Sequence, residues 1–262
     1  MKYSIALVGS ALLGTSNAHY LFGRLILNNE WTKTWEYVRE VSPEPGQMAG
    51  LALVWPNVFP ETLDLRCGRN ASVPFSPVKM ATVQAGDRIG FAAGEPKAAN
   101  EPRPSMYHPG FASAWLSKSP TDDLMKYEGD GDWFKILSVT GRTEQSLDYS
   151  LPENQQWADR SEAIWGTFEL DSYNFTIPKT TPPGKYLLRF EHVAPSKTQS
   201  QFYVNCAHIE IVNPSTEVGT PGPMVKIPGI YKMGQPDVYF SYWENGFNVT
   251  SWTGPKPEVW SG

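Results

Sequence analysis

Gln201-Phe202-Tyr203-Val204-Asn205-Cys206 is the stretch whose reading decides the fold. Read as a strand, it puts Gln201, Tyr203 and Asn205 on one face and Phe202, Val204 and Cys206 on the other. The second set reads as a core face with a buried sulfur. The first projects a Gln and a Tyr side by side, which packing alone explains as a core edge with a hydrogen-bonded Tyr. The same strand character recurs on both sides of it. Residues 19–27, 35–41, 79–84, 88–93, 112–118, 133–139, 164–170, 185–193 and 201–212 are rich in aromatic and branched side chains. Turn chemistry separates them, as in Ala85-Gly86-Asp87, Glu128-Gly129-Asp130-Gly131-Asp132 and Thr181-Pro182-Pro183-Gly184. No long segment keeps a helical apolar period. The pattern predicts an all-β chain, an antiparallel β-sandwich of the immunoglobulin or fibronectin-III-like kind, with long loops at 42–62, 94–110 and 142–163.

The start of the chain reads as a secretory signal peptide over residues 1–18. Lys2 gives the positive end, Ile5 to Leu13 the short apolar core, and Ser16-Asn17-Ala18 the small-x-small cleavage site. The apolar run is too short and broken to span a membrane, so a secreted, extracellular protein is expected. Cleavage after Ala18 makes His19 the first residue, with a free α-amino group beside its imidazole. Two nitrogens then come from one residue, and the amine, with a pKa near ~8, can lose its proton to a metal. One more imidazole completes a planar three-nitrogen set, which suits Cu(II).

The expected domain division is a signal peptide at 1–18, a sandwich domain at 19–243 and a C-terminal extension at 244–262. The extension, rich in Gly, Pro and Trp, reads as wrapped or loose. The net charge of −5 over 262 residues, without a basic cluster, argues against nucleic acid as a partner. Two cysteines, Cys67 and Cys206, in a secreted chain most simply form one disulfide; a pair of reduced or metal-bound thiols is the rival reading. Asn70-Ala71-Ser72, Asn174-Phe175-Thr176 and Asn248-Val249-Thr250 permit N-glycosylation at Asn70, Asn174 and Asn248.

Of the four histidines, His108 sits in Tyr107-His108-Pro109-Gly110, where Pro and Gly fix a loop that can present a ligand. His192 ends a strand. His208 shares the Cys206 face by parity, and a satisfied structural role suits it.

Several stretches together resemble the fungal lytic polysaccharide monooxygenases of auxiliary activity family nine, formerly classed among the glycoside hydrolases. They are His19-Tyr20, Trp35-Glu36-Tyr37-Val38-Arg39-Glu40, Asp64-Leu65-Arg66-Cys67 and Tyr107-His108-Pro109-Gly110. Gly129-Asp130-Gly131-Asp132-Trp133-Phe134-Lys135-Ile136, Pro183-Gly184-Lys185-Tyr186-Leu187-Leu188-Arg189 and 201–207 complete the set. The resemblance runs from His19 to about Trp243. It implies one copper ion in a T-shaped brace, held by the amine and ring of His19 and by the ring of His108, with Tyr203 at the axial position. It implies Gln201 and His192 as donors around the metal, which tune such a site nearly as much as its ligands do. It also implies oxidative cleavage of cellulose or a related β-1,4-glucan surface by C–H hydroxylation beside the glycosidic bond. That reaction needs an external electron donor and oxygen or hydrogen peroxide. A monomer is expected. Tyr20, Tyr242 and Trp243 are candidate sugar-stacking aromatics, with core packing as the competing fate of each.

Two other functions fit parts of the sequence. Glu128, Asp130 and Asp132 cluster as a glycosidase carboxylate pair would, although the interleaved glycines favour a solvated turn. A non-catalytic copper-binding or carbohydrate-binding sandwich would keep the fold, His19 and His108, but would not need His192, Gln201 and Tyr203 together.

Overall fold

The computed structural model describes residues 19–47, 52–94, 104–244 and 248–262; the signal-peptide reading of 1–18 lies outside them. Two sheets stack face to face. The smaller has the order β2-β1-β4-β7, from β1 (Arg24–Leu27), β2 (Glu30–Trp31), β4 (Arg88–Ala92) and β7 (Ser172–Thr176). The larger has the order β3-β9-β8-β5-β6, from β3 (Ala81–Gln84), β5 (Phe111–Lys118), β6 (Phe134–Val139), β8 (Gly184–Ala194) and β9 (Gln201–Val212). All neighbours are antiparallel except β3 and β9, which run parallel. The expected immunoglobulin-like β-sandwich is therefore the fold. Among the described residues the one α-helix is a single turn, α1 (Asp64–Cys67), and no helix is long and apolar enough to cross a membrane.

Strand alternation explains the two cores. Tyr186, Leu188 and Phe190 of β8, with Tyr203, Ala207 and Ile209 of β9, face the smaller sheet and meet Leu25, Phe91 and Phe175. The opposite parity does not face water. Leu187 and Val193 of β8, Phe202, Val204 and Cys206 of β9, and Trp115 of β5 form a second core with Leu65, Trp133, Tyr231 and Val238. The larger sheet is thus covered on both sides, which is why 11- and 12-residue strands carry so few exposed positions. Cys67 and Cys206 are disulfide-bonded, 139 positions apart, and tie α1 to the middle of β9. A loop of that length gives the crosslink about 5 kcal/mol in the chain-entropy account.

Several elements differ from expectation. Strand geometry starts at Arg24, not His19. Residues 35–41 form no strand: Trp35 adopts φ 63°, and only Val38 bridges Ala207. Arg39, fully buried, spends its guanidinium on the carbonyls of Ala71, Ser72, Leu124 and Tyr127 and on His208, so it pins loops instead of lining a sheet. Residues 164–170 are also not a strand. A 3-10 turn ends at Ile164, and Glu169 turns the chain with φ 62°. The strand follows instead at β7, where Tyr173 and Phe175 alternate inward. The C-terminal segment is wrapped: the Trp260 N–H donates to Lys135 O, Lys135 Nζ to Pro255 O, and Trp252 packs edge-on against Phe111 and Trp165.

Candidate metal centre

One end of the larger sheet gathers side chains from five places in the chain. His19 precedes β1, His108 precedes β5, His192 comes near the end of β8, and Gln201 and Tyr203 open β9. The Pro109-Gly110 pair sets His108: a side chain at Gly110 would strike Val193 O at 2.1 Å and the His192 ring at 2.9 Å. Glycine there lets the loop lie directly on β8.

The His19 and His108 rings stand edge to face, 5.8 Å between centroids at 82°. The Tyr203 ring lies 6.4 Å from His19 and 6.0 Å from His108. Tyr203 is buried, whereas both histidines keep an exposed side. The Tyr203 hydroxyl donates to Gln201 Oε1 at 2.7 Å. Burial lowers the pKa of His19 and raises that of Tyr203. Both shifts favour the neutral forms, an imidazole able to ligate and a phenol that stays protonated. His192 is fully buried and is pushed down to about 3 by burial first and by neighbouring His108 second. Its Nδ1 shares a 2.7 Å hydrogen bond with the Tyr20 hydroxyl.

Tyr20 departs from the sugar-stacking expectation. It is 1% exposed and stacks on Tyr203 at 4.0 Å and 20°, so it joins His192 to Tyr203 inside the core and offers no face to a polymer. Tyr242 is half-buried against Trp165, while Trp243 is 60% exposed and lies against Tyr242 in a tilted contact, 4.4 Å between centroids at 38°. The pairing of Lys197, in the β8–β9 turn, with Glu244, and of Ser200 Oγ with Val238 O, holds this segment beside the start of β9. His208 is structural: its Nε2 accepts from Arg39 Nε. Asp132 of the acidic turn pairs with Lys226. Asn70 and Asn248 are exposed, whereas Asn174 is half-buried in β7 with its backbone bonded to Gln145.

The sequence reading missed Trp55. Its ring stacks on His19 at 4.7 Å and 11°, close to parallel. It lies in a Pro-rich loop with no strand period, where Arg69 holds the carbonyls of Ala52 and Trp55. Only the aromatic identity of Trp55 hinted at it.

Among the described residues no three His, Cys, Asp or Glu side chains converge on one point. A brace does not need them, because two imidazoles and one terminal amine suffice. Two part-exposed imidazoles without a carboxylate fit a borderline ion such as copper better than a hard cation.

The chain matches Auxiliary Activity family 9 (formerly GH61) over residues 19–252. It is 36% identical over 243 residues to the AA9 family lytic polysaccharide monooxygenase U of Thermothielavioides terrestris, covering 90% of this chain and 86% of that one. It is 34% identical over 271 residues to monooxygenase A of Aspergillus fumigatus, covering all of this chain and 83% of the other. In fold it is similar to a cellulose-active polysaccharide monooxygenase from M. thermophila, with TM-score 0.62 and 19% identity, covering 93% of this chain and 100% of that one. The HiLPMO9B structure gives TM-score 0.62 at 23% identity, with the same coverage.

Proposed function

The chain belongs to Auxiliary Activity family 9, and from that premise we propose that it is a secreted copper-dependent monooxygenase that cleaves the β-1,4-glucan chains of cellulose oxidatively. The observation that carries the reading is the convergence of His19, His108 and Tyr203 at one end of the sheet. His19 would hold the metal through its amine and ring, and His108 through its ring. With an external reductant and oxygen or hydrogen peroxide, copper held there supplies the oxidising power to hydroxylate a C–H bond beside the glycosidic linkage.

The protein's own groups prepare that centre. Tyr203, kept a neutral phenol by burial, closes the inner side and leaves the histidines open toward solvent. Gln201 is fixed by accepting the Tyr203 hydroxyl. His192, fully buried, shares a hydrogen bond between its Nδ1 and the Tyr20 hydroxyl, which fixes its ring beside Tyr203. Trp243, held at this end by the Lys197–Glu244 pair, supports a flat sugar platform next to the site. An open centre suits a polymer surface that cannot enter a pocket.

The test uses the secreted protein with amorphous cellulose and ascorbate, read by mass spectrometry. Oxidised oligosaccharides are expected, lost in His108→Ala and without reductant. Only unoxidised sugars would overturn the proposal. Extending the chain by one residue before His19 should also weaken copper binding, measured by competition titration.

A further inference from the structure

Asn70 stands at the corner of a tight turn that follows directly on the disulfide at Cys67. The Ala71 N–H donates to Gly68 O at 3.1 Å, and Asn70, the third residue of the turn, has φ 55°. Asparagine tolerates that left-handed region better than most side chains, so the turn explains the residue at 70. It does not explain the hydroxyl two residues on. Two bonds fold the turn back onto the start of α1: the Asn70 N–H donates to Asp64 Oδ1 at 2.9 Å, and Ser72 Oγ to Leu63 O at 3.4 Å. They bring Leu63 alongside Ser72. Leu63 is 54% exposed, and Val73, next to Ser72, is 47% exposed. Asn70 is itself exposed, and among the described residues its side-chain amide bonds to no protein group. Neither other sequon has this setting. Asn174 lies half-buried against Gly90, and Asn248 Oδ1 accepts the Thr250 N–H at 3.0 Å.

We propose that Asn70 carries an N-linked oligosaccharide whose first N-acetylglucosamine covers Leu63 and Val73. Only a chain entering the secretory route meets the sugar donor, so this rests on the secreted reading above. The Ser72 hydroxyl completes the acceptor signal Asn-x-Ser. In the transfer, Asn70 Nδ2 attacks the anomeric carbon of a lipid-pyrophosphate-linked oligosaccharide. The N–C bond forms as the C–O bond to phosphate breaks, the amide gives up one proton, and the lipid pyrophosphate leaves. No oxidant or reductant is needed. The acetyl methyl and the C–H face of the sugar are apolar and match the two aliphatic side chains, while its hydroxyls stay in water. The glycan thereby shields apolar surface and adds solubility on the side of the sheet held by the disulfide.

The experiment uses the full chain expressed in a fungal host and purified from the medium. After enzymatic glycan release in heavy-oxygen water, peptide mass spectrometry should find Asn70 converted to a labelled aspartate. Ser72→Ala and Asn70→Gly should lack the label, and Ser72→Thr should keep it. Glycine accepts the left-handed turn, so a loss of label in Asn70→Gly does not come from a broken fold. Secreted wild-type protein with an unmodified Asn70 overturns the proposal and leaves the copper and secretion readings intact. A chain retained in the cell without sugar overturns the secretion reading together with this one. With isotope-labelled methyl groups, a nuclear Overhauser effect from the acetyl methyl to Leu63 and Val73 is expected. A glycan on Asn70 that shows no such contact refutes the seat.

Discussion

Glu191→Gln tests the reading of the second core. Glu191 and Arg189 are both fully buried on the outer side of β8 and pair at 2.6 Å. The other carboxylate oxygen accepts from Ser113 Oγ at 2.6 Å, Tyr231 Oη at 2.8 Å and Trp115 Nε1 at 3.1 Å. Burial by itself would push the carboxyl pKa up, but Arg189 and these donors outweigh it and hold the pKa below its usual value. Glutamine keeps the shape and removes the charge. Arg189, which also donates to the carbonyls of Leu65 and Arg66, is then a buried cation without a counter-charge, and the new amide NH2 must face a donor, either Arg189 or Trp115 Nε1. Removing one member of a buried pair costs about 3–5 kcal/mol. At roughly 2–4 °C per kcal/mol for a domain this large, the Tm should fall by about 6–20 °C in calorimetry at neutral pH. A fall below about 2 °C would refute the argument. Arg189→Met with Glu191→Leu should recover much of the loss, because both desolvation penalties disappear together. A double variant no more stable than Glu191→Gln would show that the pair itself is strongly net favourable.

Two further outcomes follow from neighbouring groups. His208 accepts from Arg39, and burial pushes its pKa down to about 3 from the usual 6.5. The folded state therefore refuses a proton that the unfolded chain takes up, and stability should fall as pH drops from 6.5 toward 3, by up to about 1.4 kcal/mol per pH unit from this group. His208→Gln, an acceptor that does not titrate, should flatten the urea-derived stability profile in that window, and equal slopes would sink the assignment. Trp55→Ala removes the stack on His19, worth about 0.5–1.5 kcal/mol for an aromatic pair. Copper affinity should weaken roughly 2- to 10-fold in competition titration, and unchanged affinity would mean that Trp55 does not position the ring.

Period-two alternation and Pro/Gly punctuation already separated most strands, because a strand's side-chain direction is a local property. The β9 stretch was legible down to its faces: Phe202, Val204 and Cys206 do share one core and Tyr203 faces the other. His19, His108, His192, Gln201 and Tyr203 could be listed together from their residue types and the resemblance they carry. What local pattern could not say is which face would be covered. The outer side of β8 is buried because Tyr231 and Val238, dozens of residues further on, close over it, and that cover turns Arg189 and Glu191 into a buried pair. Tyr20 stood between sugar stacking and core packing until Tyr203 and His192 were placed around it. Trp55 owes its role to a neighbour far away in the chain. A sequence displays the direction in which each strand side chain leaves the backbone; what it meets there depends on long-range chain closure, which only the tertiary structure decides.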